Sequence, residues 1–374
     1  MEKVYLDYNA STPIDPRVVE AMSPFLHAYY GNPSTSHWAA VPAKEAVNRA
    51  RRQVASLLQC DPSEVIFTSG GSEANNHALK GVFHALAHKG NHIITTAIEH
   101  PAILEPCRFL ERLGAKVTYI GVDQYGEVSV EEIEKAITDQ TILISVMHAN
   151  NEVGTIQPIR QIAELAKKHG ILVHTDAAQS VGKVPTRVDE LGVDLLSIAG
   201  HKLYAPKGVG ALYIRKGTPI ESFIHGAGHE EGRRAGTENV LMAVGLGVAC
   251  EIAEQELANP GIRELREYFW RQLQEAFGDS VRLNGHPEHR LPNTLNVSFK
   301  GRPGSDILGA VPELAASTGS ACHSGQIKLS AVLQEMGVSA FDGQGTIRFS
   351  LGRYTTKEEL DQTVQWLKSR GYTE

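Results

Sequence analysis

The sequence has no apolar run near the roughly 20 residues that a bilayer-spanning helix requires. The longest candidate, Val240 to Cys250, is short and carries two glycines. The opening residues, Met1-Glu2-Lys3-Val4-Tyr5-Leu6-Asp7, hold no basic stretch followed by an apolar one, so no secretory signal is expected. Cysteine is scarce, with 4 in 374 residues, widely spaced and never as CxxC. That excludes a disulfide framework and a zinc ribbon, and it points to a reducing, cytoplasmic compartment. There is no excess of positive charge either: 36 Lys and Arg against 43 Asp and Glu give −7. A protein whose main task is coating nucleic acid is thereby disfavoured, and no direct nucleic-acid binding is expected. Internal repeats and low-complexity tracts are also missing. What remains, with 42% apolar and 21% charged residues, is an ordinary globular chain long enough to bury a large core.

The pattern along the chain alternates. Asp15 and Pro16 open a helix whose apolar face is Val18, Val19, Met22, Phe25 and Leu26, and Pro24 should bend or end it. A longer helix is predicted over 43–58. Short apolar runs then occur at 65–68, 92–96, 116–120, 141–146, 171–174, 195–199 and 209–214. Helical stretches at 73–86, 102–113, 130–137 and 159–169 separate several of them, with Ser129 and Glu132 as a capping box for one. Such alternation predicts an α/β fold with a mainly parallel seven-stranded sheet covered by helices. Past about residue 255 the rhythm changes to a charged helix ending at Phe277, a half-exposed strand at 294–299, a strand at 346–351 and a final helix at 357–369. We expect a large unit over 13–255 and a smaller α+β unit from 256–374, joined by residues 1–12.

Three places carry chemistry. Thr68-Ser69-Gly70-Gly71-Ser72-Glu73 lies between a strand and a helix, where glycines and free helix N–H groups suit a phosphate. It is neither a nucleotide P-loop nor the GxGxxG fingerprint, and glycine in such a turn also serves geometry alone. Two later strands run into Asp176-Ala177-Ala178-Gln179 and Gly200-His201-Lys202. Ligands of open α/β sheets bind beyond the carboxyl ends of strands, which would gather Asp176, Gln179, His201 and Lys202 near the glycine turn. A phosphate cup, a carboxylate and a lysine match the needs of pyridoxal phosphate. Taken singly, Asp176 reads more readily as a helix cap and Lys202 as a solvated loop residue.

The stretches YLDYNASTPIDP, YGNPSTSH, IFTSGGSEANN, EHPAIL, ANNEVGTIQPI, HTDAAQSVGK, GHKLYAPKGVGALY, RRAGTEN, TGSACHSG and IRFSLGRYTT occur in this order from one end to the other. Together they closely resemble the cysteine desulfurases of the NifS/IscS-like group, in the aminotransferase class-V family. The resemblance implies the PLP-dependent transferase fold type I, with pyridoxal 5'-phosphate as cofactor and L-cysteine as substrate. It also implies a homodimer and a sulfur-acceptor protein or scaffold. By resemblance, Lys202 would carry the cofactor aldehyde, Asp176 would pair with the pyridinium nitrogen, and Gln179 would bond the ring hydroxyl. His100 would stack on the ring and assist proton transfer, and Asn151 would contact the ring side. Gly71, Ser72 and His201 would bind the phosphate, joined by Thr237 from the other subunit. Arg348 would grip the substrate carboxylate with Asn32 beside it, and Cys322 would be the nucleophile, leaving alanine and a Cys322 persulfide.

Cys322 stands among small residues and glycines, which suit an accessible segment. The attacking species is a thiolate, so its surroundings must favour deprotonation, and His323 is a candidate for that tuning. Cys60, Cys107 and Cys250 read as small hydrophobes. His84 and His88 have metal-pair spacing but no third ligand, so no metal is expected. Two positions depart from the group's common pattern. Ala199 stands where a hydroxyl residue often donates to the phosphate, a bond worth about 1.5–3 kcal/mol. Cys-His-Ser around the nucleophile resembles selenocysteine lyases and some desulfurases linked to DNA phosphorothioation. A selenocysteine lyase, another class-V aminotransferase or lyase, and a silent docking scaffold are the alternatives. Iron–sulfur assembly, tRNA thiolation and DNA sulfur modification are all open as destinations of the sulfur.

Overall fold

The computed structural model describes residues 3–323 and 326–372, with side chains described outside 320–328. A first strand, β1 (Val4–Tyr5), pairs in parallel with Leu314–Ala315, so the amino-terminal segment joins the carboxy-terminal part of the chain. The main sheet holds β2 (Val65–Thr68), β3 (His92–Thr96), β4 (Lys116–Ile120), β5 (Thr141–Ser145), β6 (Leu172–Asp176), β7 (Leu195–Ala199) and β8 (Gly210–Ile214). Their order is β2-β8-β7-β6-β5-β3-β4. Only β8 runs against the rest, pairing antiparallel with both β2 and β7.

Alternation of side chains explains how the sheet is covered. Neighbours in sequence such as Ile93 and Ile94, Leu143 and Ile144, or Leu195 and Leu196 point to opposite faces. The first of each pair joins a core with Ile66, Leu79 and Leu212; the second joins a core with Val54, Leu58 and Val173. Helix Ile159–His169 shows how one such layer is built. Ile159, Ile162, Ala163, Leu165 and Ala166 are buried along one face, Lys167, Lys168 and His169 sit in the last turn, and Gly170 ends it at φ 65°. Asp15 caps the first helix through the Arg17 amide, and Pro24 starts a separate short turn at 24–27. At Ser129 only half of the expected box forms: its hydroxyl accepts from the Glu132 amide and donates to Glu131.

Beyond helix Gly261–Phe277, a second sheet orders Ser317–Thr318, Thr346–Ser350, Thr294–Phe299 and Val281–Asn284. The expectation of a half-exposed strand at 294–299 is corrected here, because all six residues are buried. Leu295, Val297 and Phe299 fill a core with Phe269 and Phe349. The polar face is hydrogen-bonded along its length: Thr294 accepts from Asn9, Asn296 donates to the Glu152 carbonyl, and Ser298 bonds Thr346 of the neighbouring strand. Alternation therefore marks an apolar core on one side and a hydrogen-bonded seam on the other, with water excluded from both.

Candidate active site

Five strand ends of the main sheet meet in one cleft of about 350 Å³. β2 leads to Gly71 and Ser72, β3 to His100, β5 to Asn151, β6 to Asp176 and Gln179, and β7 to His201 and Lys202. Arg348, from the second sheet, closes the far side. Nine of the residues singled out from sequence thus line a single space. Thr237 and Asn32 are exposed and lie outside it. Their segments nevertheless touch each other, since Ser34 Oγ donates to Glu238 at 3.4 Å.

The glycine turn needs its glycines. Gly70 has φ 151°, and a Cβ on Gly71 would come within 3.2 Å of the Ala199 Cβ. The 15-residue helix Gly71–Ala85 begins here, so its unpaired N–H groups face the cleft wall. Ser69 N donates to Glu73, and the Glu73 carboxylate pairs with Arg234 at 2.8 Å. That ion pair draws the segment holding Thr237 against the outer side of the turn.

Asp176 is nearly buried and is oriented from two sides, by Asn75 Nδ2 at 2.7 Å and by the Ala178 amide at 2.9 Å. Lys202 Nζ donates to the carbonyls of Asn9 and Ala10 at 2.5 and 2.8 Å. No carboxylate pairs with it among the described residues. Burial first, and then the Arg348 charge, lower its pKa to about 8, against the opposing pull of Asp7 and Asp176. His201 is pushed to about 4, by burial first and then by Lys202. His100 caps the helix Pro101–Glu111 by accepting the Ala102 amide on Nδ1 at 3.0 Å, which leaves its proton on Nε2. Its pKa is lowered by burial above all, so the ring stays neutral. Arg348 is fixed by the Asn151 carbonyl at 3.1 Å, Asp7 at 2.7 Å and Ser317 Oγ at 2.9 Å. Its Nε has no partner among the described residues.

Cys322 lies in strand Ser320–His323, opposite Ile327 of the antiparallel strand Gln326–Leu329. Ser330 N donates to Gly319 O at 2.9 Å and Ser330 Oγ to Glu152 at 2.5 Å, which ties the base of this pair to the residue after the cleft-lining Asn151. The direction of the Cys322 thiol and its tuning by His323 lie outside the described side chains. The other cysteines are poor nucleophiles. Burial raises Cys60 and Cys107 to about 12 and raises Cys250 as well.

Sequence reading gave no role to Asn9 or Glu99. Asn9 O receives both Lys202 Nζ and Gln179 Nε2, and its side chain reaches Thr294, Asn293 and the Asn151 carbonyl. Its motif was visible, but its place depends on the chain's return across the whole fold. Glu99 is fully enclosed, accepting from Thr96 Oγ1 and the Met147 amide, each at 2.8 Å, on one oxygen. Burial, with Asp176 adding to it, raises Glu99 to about 8, so it is protonated at neutral pH. The unfolded chain loses this proton near pH 4.5, the ordinary value, while the folded chain keeps it to about 8. Stability held below pH 4.5 is therefore lost as pH rises toward 8. Glu99→Gln does not titrate, so its melting temperature should gain on the unsubstituted protein between pH 5 and pH 8. Equal offsets at both pH values would contradict a protonated Glu99.

The chain matches the family described as Aminotransferase class-V over residues 4–363. It is 50% identical over 370 residues to cysteine desulfurase IscS of Dictyoglomus turgidum, covering 98% of this chain and 94% of that one. Among solved structures, a NifS-like protein superposes with a TM-score of 0.92 at 40% identity, covering 98% of both chains. SspA in complex with cysteine superposes at 0.84 and 38% identity, covering 94% of this chain and 99% of that one. By this family match and these relatives, and with its glycine turn, buried carboxylate and cleft lysine beyond the ends of β2, β6 and β7, the chain belongs to the aminotransferase class-V family and, within it, to the pyridoxal-phosphate-dependent cysteine desulfurases of the NifS/IscS-like group.

Proposed function

We propose that this protein removes sulfur from L-cysteine, releasing L-alanine and leaving a persulfide on Cys322 for an acceptor. The observation that carries the reading is the cleft itself. It combines an amine with no carboxylate partner among the described residues, a carboxylate held in place from behind, and a helix start lined by glycine. That donor set fits pyridoxal phosphate: Lys202 for the aldehyde, Asp176 for the ring nitrogen, and Gly71, Ser72 and His201 for the phosphate. Gln179, His100 and Asn151 would hold the remaining sides of the ring, and Thr237 would come from the second subunit. When bound, the cofactor withdraws electrons from the substrate α-carbon.

The chain's own groups supply the rest. Arg348, fixed by Asp7 and Ser317 and with Nε unpaired among the described residues, would take the substrate carboxylate, whereas Asn32, expected beside it, lies outside the cleft of the single chain. Lys202 Nζ, with its lowered pKa, suits the acceptance and return of the α-proton near neutral pH. His100, neutral and with its proton on Nε2, is suited to donate rather than to accept. The Cys322 thiolate takes the sulfur as the substrate C–S bond breaks and an S–S bond forms. Cysteine plus a protein thiol gives alanine plus a persulfide, so no outside oxidant is needed.

Residues 13–255 would be the cofactor-binding unit, and 256–374 with 1–12 the unit that carries Cys322. A cytoplasmic homodimer is the state we assign. Leu26, Tyr30 and Trp38 are 69%, 83% and 83% exposed, large apolar side chains that a lone chain would leave in water. Light scattering should give twice 40.7 kDa, and a monomer would remove the route by which Thr237 reaches the cleft. The function is tested by alanine release from L-cysteine and from selenocysteine. Cysteine turnover is expected. Alanine from selenocysteine alone would make the protein a selenocysteine lyase, and a pyruvate or keto product would make it another class-V enzyme.

A further inference from the structure

The geometry points to Lys183 as a positioning residue that fixes the amide of Gln179 with its NH2 side available to the cofactor ring. This rests on the reading above, in which Gln179 stands beside that ring. Lys183 Nζ donates to Gln179 Oε1 at 3.0 Å, and Gln179 Nε2 donates to Asn9 O at 3.0 Å. A backbone carbonyl has only acceptors, so Asn9 takes the NH2 end of the amide, and Oε1 is left facing Lys183, whose amine donates to it whether protonated or neutral. The Asn9 bond uses one amide hydrogen. The second hydrogen is left for the cleft, which Gln179 lines.

The local chain is shaped to bring this amine in. Gly182 has φ 74°, and a Cβ there would lie 2.2 Å from Leu203 Cδ1 and 2.9 Å from Ala253 Cβ. The turn thus packs tightly on Leu203 while Lys183 reaches back four residues to Gln179. Lys183 Nζ also approaches Asn9 Oδ1 at 3.5 Å. Among the described residues no carboxylate pairs with Lys183, and the nearby charges, Lys202 and Arg348, repel it. Burial, followed by those two charges, lowers it to about 7. Such an amine is costly for the fold, so the hydrogen bonds it makes are the reason to look for a role in the cleft.

A donor to the ring oxygen stabilises that oxygen's anion, and so lowers the pH at which the lysine-linked cofactor gives up its proton. Loss of the donor raises that pH. Of the charged and titratable groups around Lys202 Nζ, Arg348, Asp7, Asp176, His100 and His201 stay unchanged in every variant below, and only the Lys183 charge is removed, whose direct effect the double variant separates from its hold on the amide.

The test is a pH titration of the bound cofactor's absorbance in the holoenzyme, for Gln179→Ala, Lys183→Met, Lys183→Arg and the double variant Gln179→Ala with Lys183→Met. Both single losses should raise the midpoint by about 0.5 to 1 unit, as expected for one charge-assisted bond. Lys183→Arg should keep the original midpoint. The double variant should move no further than Gln179→Ala, because Lys183 acts through that amide. Lys183→Met should melt no lower than the unsubstituted protein. A Lys183→Met midpoint that does not move, or a shift that adds in full to that of Gln179→Ala, overturns the inference, since the second result means a charge effect independent of the amide. A Gln179→Ala midpoint that does not move instead removes the premise that Gln179 contacts the ring.

Discussion

Cys322→Ala is expected to lose alanine formation from L-cysteine by on the order of a thousandfold or more, with the cofactor absorbance intact. The chemistry divides between two places in the chain. The cleft residues hold the cofactor and activate the substrate, and no thiol is among those that line it. The other thiols do not substitute: burial raises Cys60, Cys107 and Cys250 well above the range in which a thiolate is available. Added cysteine should still perturb the cofactor spectrum of Cys322→Ala, because Lys202, Asp176 and Arg348 remain. Alanine release at the original rate would show that sulfur leaves without this residue.

Lys202→Ala carries the second large effect. The variant should lose the covalent tether to the cofactor and turn over cysteine roughly a thousandfold more slowly or worse. Borohydride reduction of the unsubstituted holoenzyme should fix the cofactor on the peptide containing Lys202, and reduction of Lys202→Ala should fix none. Lys183 is the control built into the structure. It is a second amine of lowered pKa, bonded to the same Asn9. Its nitrogen is engaged with Gln179 Oε1, and it lies outside the residues that line the cleft. A cofactor adduct at Lys183 would reverse the assignment of the two lysines.

Much of this arrangement was legible in the sequence, because its signals are local. The alternation of apolar runs and helical stretches gave all seven strands of the main sheet, and the strand ends then placed Asp176 and Lys202 by the general rule for α/β sheets. β8 was found as a strand, but its reversed direction has no signature in its own residues. What was missed depends on distant parts of the chain meeting. Asn9 matters because residues 7–12 cross over the ends of β6 and β7, where its carbonyl meets both Lys202 and Gln179. Glu99 looks like any acidic residue until the Thr96 hydroxyl and the Met147 amide enclose it. The strand at 294–299 shows the same limit from another side. Its alternation was read correctly, but the polar face meets Asn9, Glu152 and Thr346 in place of water. Lys183 stood inside a recognised motif, four residues after Gln179, and only the turn at Gly182 brings its nitrogen to the amide.

In the proposed reaction, sulfur passes from substrate cysteine to the residue at 322. The most direct test exposes the holoenzyme to L-cysteine without an acceptor, then weighs the thiol-blocked peptides while counting the alanine formed. We expect about one alanine per chain in the first turnover and the Cys322 peptide heavier by one sulfur atom. Alanine formed with an unmodified Cys322, or with the added sulfur on Cys60, Cys107 or Cys250, would contradict the account.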